Sequence, residues 1–282
     1  MKIAIASGKG GTGKTTVATN LAWTIADAGD TVSYIDCDVE EPNGHIFLKP
    51  EIETKQSATM DFPVIDEEKC ISCGLCAKIC QYTAILVLGE TAIVFPELCH
   101  ACGGCLMVCP VGAITFEKRE IGIIESGKSN GVRFVHGKLN VGQVMSPPLI
   151  KQTKALVSDD NVTIIDSPPG TSCPVIESVK DADFVLLVTE PTPFGLSDLK
   201  LAVEVLRALK IPFGVFINRS GIGTQDTVTF CKKNRISILS SLPDNRHIAE
   251  MYSTGIIAAE TSSEIRELFL ALYADLKKKA EK

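Results

Sequence analysis

The sequence has no surplus of positive charge, no hydrophobic run long enough to cross a bilayer and no secretory leader pattern. Lys and Arg total 28 against 34 Asp and Glu, a formal charge of −6. Nucleic-acid binding draws on a basic stripe that neutralises phosphates, so no nucleic-acid partner is expected. The longest apolar stretches, such as 184–188, are strand-sized. They fall far short of the roughly 20 residues a spanning helix needs, so no stable membrane insertion is expected. Met1-Lys2 runs directly into Ile3-Ala4-Ile5 without a charged-then-apolar leader, and a cytoplasmic location is the expectation. A reducing compartment disfavours disulfides, so the 11 cysteines read as metal ligands.

What the chain does have is 45% hydrophobic residues over 282 positions, enough for a substantial core. Residues 2–6 read as a strand and 8–13 as a Gly-rich turn. Residues 15–28 read as a helix with apolar spacing at Val17, Leu21 and Ile25, and 32–35 as a second strand. Residues 42–62 lose periodicity and read as loop. Residues 121–139 read as two strands joined by the polar turn 126–131. A helix is expected over 141–156, which Pro147 and Pro148 must break or start. Apolar runs at 162–165, 184–189 and 213–217 alternate with helical segments. That alternation predicts an α/β fold with a mostly parallel sheet and helices on both faces.

Gly8-Lys9-Gly10-Gly11-Thr12-Gly13-Lys14-Thr15-Thr16 contains G-x-x-x-x-G-K-[ST] between a strand and a helix, the context a P-loop requires. Its glycines let backbone N–H groups turn inward around phosphate oxygens at the positive end of the helix. Lys14 is placed to neutralise the β- and γ-phosphates of ATP and the Thr15 hydroxyl to ligate Mg²⁺. Asp166 ends the strand 162–165 and begins Asp166-Ser167-Pro168-Pro169-Gly170, which puts a carboxylate beside the phosphates. Gly170 is the one permissive residue in that rigid loop.

With Lys9 ahead of Gly10-Gly11-Thr12-Gly13-Lys14-Thr15, the motif resembles the deviant Walker A ATPases, a class that includes MinD, ParA and the nitrogenase iron protein. Residues 36–43 resemble its switch I and 166–170 its switch II. The resemblance implies a dimer, homomeric or with a related ATPase, that encloses two ATP molecules. It also implies that Lys9 reaches the partner's nucleotide, Asp38 positions the attacking water and Asn43 contributes at the dimer face. Asn218-Arg219 resembles the adenine-contacting segment. A cation delivered only on dimerisation would make hydrolysis depend on the dimer.

Eight cysteines lie between Cys70 and Cys109. Cys70, Cys73, Cys76 and Cys80 recur as Cys99, Cys102, Cys105 and Cys109, with Ala84-Ile85 recurring as Ala113-Ile114. This spacing fits bacterial two-cluster ferredoxins, in which the fourth cysteine of each run ligates the other cluster. Two 4Fe–4S clusters are therefore expected, one on Cys70, Cys73, Cys76 and Cys109, the other on Cys99, Cys102, Cys105 and Cys80. Structural zinc competes, although zinc sites usually supply cysteines in pairs with a longer gap. Gln81 follows Cys80 where Pro110 follows Cys109, and His100 is read as a surface residue.

The whole chain resembles a family that joins a MinD-like ATPase to an inserted two-cluster ferredoxin. Residues 1–60 and 119–282 would form the P-loop ATPase domain and 61–118 the inserted α+β ferredoxin-like module. Cys173 follows the second switch, as does a cysteine that helps bind an intersubunit cluster in the nitrogenase iron protein. A small buried or interface thiol is the alternative. Only Cys231 lies beyond Cys173, so the late Cys-x-x-Cys pair of Mrp-type cluster carriers is missing. An amphipathic helix is expected over 261–279, packed on the core or held at a membrane by Lys277-Lys278-Lys279. Three functions follow: ATP-gated electron transfer to a redox protein, a positioning or assembly ATPase with redox-sensing or structural clusters, and a cluster scaffold or carrier.

Overall fold

The most apolar runs become the central strands of one sheet, where both faces are covered and no alternation of polar residues is needed. The computed structural model describes residues 1–157 and 162–280. The chain begins β1 (Lys2–Ala6), α1 (Lys14–Asp27), β2 (Val32–Asp36), α2 (Gly44–Leu48) and β3 (Glu51–Ile65). Next come α3 (Leu75–Ile79), β4 (Ile85–Leu88), β5 (Thr91–Val94) and α4 (Gly104–Val108). Then follow β6 (Ile114–Ser129), β7 (Val132–Leu139), α5 (Pro147–Lys154), β8 (Val162–Asp166), α6 (Cys173–Val179) and β9 (Phe184–Thr189). The chain closes with α7 (Pro193–Leu209), β10 (Phe213–Ser220), α8 (Asp226–Lys233), β11 (Ile238–Pro243), α9 (Arg246–Ser253), α10 (Ala258–Thr261) and α11 (Ser263–Ala280).

The strand order is β11-β10-β9-β1-β8-β2-β7-β6-β3. Pairings from β11 through β7 are parallel; β6 and β3 extend that edge antiparallel. One face packs against α1 and α11 through Val17, Leu21, Ile25, Phe269 and Leu272. The other packs against α5, α6 and α7 through Leu149, Ile150, Val175, Val179 and Leu199. This is the α/β P-loop architecture. It places the P-loop, Asp36 and Asp166 together at the carboxyl ends of β1, β2 and β8.

The amphipathic stripe of α11 docks on the core: Ile265, Phe269, Leu272, Tyr273 and Leu276 are buried. Asp30, just beyond α1, accepts hydrogen bonds from Tyr273 Oη at 2.6 Å and Lys277 Nζ at 2.7 Å. Among the described residues, no helix is long and apolar enough to cross a membrane.

Residues 42–62, expected as loop, instead hold α2 and most of β3. Residues 51–57 are exposed throughout, so no apolar alternation marks them; pairing with β6 makes them a strand. The polar turn expected over 126–131 contracts to Asn130-Gly131, both at positive φ (43° and 83°), because β6 continues to Ser129. The helix expected over 141–156 is confined to α5, which starts at its prolines since Pro is favoured in a first turn.

Strands β3 and β6 pair from Glu51↔Lys128 to Ile65↔Ile114. Strand β6 meets β7 only from Gly122↔Leu139 to Ser129↔Val132. Beyond Gly122, β3 and β6 run on as a two-stranded ribbon whose far end carries residues 66–113. The junctions expected near 61 and 118 lie inside these two strands.

Candidate nucleotide site and cysteine sites

The P-loop joins β1 to α1, with Gly13 at φ 91° as the residue before the helix. A Cβ at Gly13 would stand 2.2 Å from Asn218 Nδ2, so the loop and the end of β10 touch where only glycine fits. Asn218 Nδ2 donates to the Thr12 carbonyl at 2.8 Å. The Ser7 hydroxyl donates to the Lys9 carbonyl at 2.5 Å, and the Gly170 N–H donates to the Ser7 carbonyl at 3.1 Å. Gly8 packs against the backbone of Asp198 on α7. Lys9 lies 3.7 Å from Glu190 Oε2, and the same carboxylate meets Arg219 Nη1 at 3.0 Å. Lys9 and Arg219 are thus tied together through an acid that sequence reasoning did not single out.

Lys14 is buried, which lowers its pKa, while Asp166, Asp38 and Asp36 oppose that shift. Burial raises Asp36 well above the carboxylate range, reinforced by the charge of Asp166. Asp166 is raised by burial against the pull of Lys14 and hydrogen bonds from Thr15 and Tyr34. Burial and Asp166 push Asp38 up to about 6. Asp36 is the scaffold here. It accepts N–H bonds from Asp38 at 3.1 Å, Asn43 at 3.1 Å and Gly44 at 2.9 Å, and so sets the course of 36–44. Tyr34 Oη donates to Asp166 Oδ2 at 2.9 Å, while Thr12 Oγ1 and Ser167 Oγ are buried with no hydrogen-bond partner among the described residues. Three carboxylates around one lysine, with unpaired oxygens beside them, fit a divalent cation held together with phosphate.

Next to the loop a cavity of about 320 Å³ is lined by Gly11, Gly13, Thr16, Asn218, Arg219, Pro243, Asp244, Asn245, Ile248, Ala249 and Tyr252. Asn218 and Arg219, expected beside the base, form one wall of it. The wall from the end of β11 and from α9 was missed, because nothing local marks Asp244 or Tyr252. Gly10 lies in the loop itself, Thr15 in the first turn of α1, and Asn43 leads into α2. Cys173 is the exposed first residue of α6. Cys37 and Cys231 are buried.

The eight remaining cysteines fall into two groups. One cavity is lined by Cys70, Cys73, Cys76 and Cys109, with Ile65, Val87 and Ile114 among its walls. The other is lined by Cys80, Cys99, Cys102 and Cys105, with Pro63, Ala84 and Phe116. Each fourth cysteine has crossed to the other repeat's cavity. The loops match in detail: Ser72 and Ala101, 29 residues apart by number, share positive φ (51° and 52°). Backbone N–H groups reach the sulfurs, from Ala84 to Cys80 and Ala101 to Cys99 at 3.3 Å, and from Ala113 to Cys109 at 3.2 Å. Burial raises Cys76, Cys99 and Cys105. At Cys109 the backbone hydrogen bonds outweigh desolvation and lower the thiol. Among the described residues, no three His, Cys, Asp or Glu side chains converge on one point as a lone ion requires. Four thiols line each apolar-walled cavity, soft donors of the type a thiophilic metal group would need. His100 is exposed and stacks on Tyr82 with ring centroids 3.4 Å apart, beside the second cavity.

The sequence model for the CobQ/CobB/MinD/ParA nucleotide-binding domain matches residues 3–258. Two uncharacterized proteins of Methanocaldococcus jannaschii are 33% and 34% identical, spanning 90% and 98% of this chain and 90% and 96% of their own. An iron-sulfur cluster carrier protein of Aquifex aeolicus is 26% identical over 96% of this chain and 65% of its own. Among solved structures, the cell division ATPase MinD of Pyrococcus furiosus matches with TM-score 0.62 at 20% identity, covering 98% of each chain. MinD of Pyrococcus horikoshii complexed with Mg-ADP matches with TM-score 0.61 at 20% identity, covering 98% of this chain and 96% of its own. With the P-loop, its lysine and the acidic pair in place, the chain belongs to the CobQ/CobB/MinD/ParA nucleotide-binding family and is a P-loop ATPase.

Proposed function

We propose that this protein is a nucleotide-dependent dimer that couples ATP hydrolysis to electron transfer through two 4Fe–4S clusters. Gly8, Gly10, Gly11, Thr12 and Gly13 shape the phosphate loop, with Lys14 as its cation. Thr15 holds Mg²⁺ with Asp166 beside it, and Asp38 orients the attacking water. Thr16, Asn218 and Arg219 border the nucleoside, Asn43 contributes at the dimer face, and residues 36–43 and 166–170, the latter with the permissive Gly170, act as the nucleotide-responsive loops. Lys9 leaves Glu190 to meet the partner's nucleotide. In this reading residues 61–118 are the inserted ferredoxin-like module. Cys70, Cys73, Cys76 and Cys109 hold one cluster, and Cys80, Cys99, Cys102 and Cys105 the other. When bound, such clusters store and pass single electrons.

The observation that carries the reading is the crossed membership of the two cysteine groups around separate cavities, on a chain that also has a complete P-loop. The test is an anaerobic EPR redox titration with and without Mg-ATP. A nucleotide-induced shift of about 59 mV or more, a tenfold change in a one-electron couple, is the expected result. Unchanged potentials and line shapes would remove the coupling.

The names of several relatives favour a second reading, cluster transfer. The carrier proteins of A. aeolicus, M. jannaschii and Pyrococcus abyssi are 25–26% identical to this chain. Rapid loss of iron and sulfide to an apo-acceptor would establish it. Retention through many turnovers of ATP is what the electron-transfer reading requires, since four thiolates hold a cluster tightly.

A further inference from the structure

The ribbon leaves the central sheet at a defect. In β3–β6 the register steps from Ala58↔Gly122 to Thr59↔Glu120, so β6 carries one extra residue, Ile121. This is a β-bulge, which bends a strand where it occurs. It lies one residue past Gly122↔Leu139, the last pair joining β6 to β7.

The bulge is gripped from two sides by one stretch of chain. On one side the Asn140 N–H donates to the Ile121 carbonyl at 2.9 Å, and Asn140 Nδ2 donates to Glu120 Oε1 at 3.3 Å. On the other, Gln152 Nε2 donates to the Thr59 carbonyl at 3.0 Å, while the Thr59 N–H donates to Gln152 Oε1 at 3.3 Å. β3 is the edge strand, so this amide pairs with its outward backbone groups as another strand would. The same stretch is tied to the loop after β2. The Leu139 N–H donates to the Val39 carbonyl at 2.8 Å, and Ser146 Oγ donates to Glu40 Oε1 at 3.1 Å. Little slack lies between them: a Cβ at Gly137 would stand 2.6 Å from Thr153 Oγ1 and 2.9 Å from Val39 Cγ1.

We infer that residues 139–154 link the nucleotide site mechanically to the ribbon, with Gln152 and Ser146 as positioning residues at its two ends. This rests on the proposed reading of 36–43 as a nucleotide-responsive loop. When Val39 and Glu40 move with the nucleotide, α5 moves with them and turns the ribbon at Thr59. The effect reaches the Cys80/Cys99/Cys102/Cys105 cavity first. Met60 and Phe62 belong to the same apolar cluster as Ala84 and Cys99, and Pro63 and Phe116 wall that cavity. The other cavity sits against Ile65 and Ile114, at the ribbon's end.

The test is hydrogen exchange by mass spectrometry on the intact anaerobic protein, with and without Mg-ATP, for wild type, Gln152→Ala and Ser146→Ala. In wild type, ATP should change exchange in 57–63 and 116–122 by about fivefold or more, the lower end of typical coupling. In either variant that response should collapse while 8–16 remains protected by ATP. A wild-type ribbon that ignores nucleotide while 8–16 is protected overturns the link. So does a wild-type-like ribbon response in both variants. Should Gln152→Ala fail to fold, Ser146→Ala carries the test from the other end. The proposed function fails separately: a ribbon that responds while both cluster potentials stay fixed keeps the link and removes the electron-transfer reading.

Discussion

Replacing Asn218 by alanine tests whether this residue reads the base or holds the phosphate loop. Its position at the end of β10 and in the wall of the cavity beside the P-loop suits a base contact. Its amide nitrogen, however, is committed to the Thr12 carbonyl at 2.8 Å, 206 residues away in sequence. Both residues are buried, with Thr12 2% and Asn218 8% exposed. Alanine leaves that carbonyl without its donor in a place water reaches poorly, a cost of about 1–3 kcal/mol. Gly13 loses the neighbour that its missing Cβ accommodates. If the cost falls on the loop's phosphate-binding shape, affinity for Mg-ATP should drop about 5–150-fold. The loss should be equal for Mg-GTP, since both nucleotides present the same phosphates. Isothermal titration calorimetry with ATP, GTP and ADP measures this, and a thermal melt checks the fold. A drop confined to ATP would refute the loop role and give Asn218 to base recognition. An ATP affinity within about twofold of wild type would refute both.

Three further outcomes follow from the geometry. Cys80→Ser should perturb the EPR signal of the cluster proposed on Cys99, Cys102 and Cys105 and leave the other signal intact, although Cys80 lies in the first sequence run; the reverse pattern would undo the proposed crossing. Iodoacetamide at pH 8 should modify the exposed Cys173 in the native protein and spare Cys37 and Cys231 until unfolding, because burial raises both thiols, Cys231 to about 11; peptide mass spectrometry reads the order. Asp30 has a lowered pKa, chiefly from hydrogen bonds with Lys277 and Tyr273. Its stabilising contribution is therefore present above the unfolded value of about 3.9 and lost as pH falls through the lower folded value. The carboxylate is 43% exposed, so screening limits the pair to less than about 1 kcal/mol. Wild type should melt slightly above Asp30→Asn at pH 7, with the gap closing toward pH 3.

Features encoded locally were legible without coordinates. The P-loop, the strands around Ile164 and Leu186, the docking stripe of α11 and the duplicated cysteine spacing each reside in a short window of side-chain chemistry. A parallel strand buried on both faces has to be apolar, and phosphate-cradling turns have to be rich in glycine. What the window does not contain, it cannot announce. Residues 51–57 carry no alternation because both of their faces meet water, and only β6, more than 60 positions later, makes them a strand. Asp244 and Tyr252 join the cavity beside the P-loop because the strand order of the sheet brings β11 beside β10. Glu190 finds Lys9, Asn218 finds Thr12 and Gln152 finds Thr59 through side chains crossing between elements. The sequence by itself determined which functional side chains lie in each stretch of the chain. The tertiary structure alone decided how they are connected, because hydrogen bonds between distant residues depend on strand order and register, which no local pattern records.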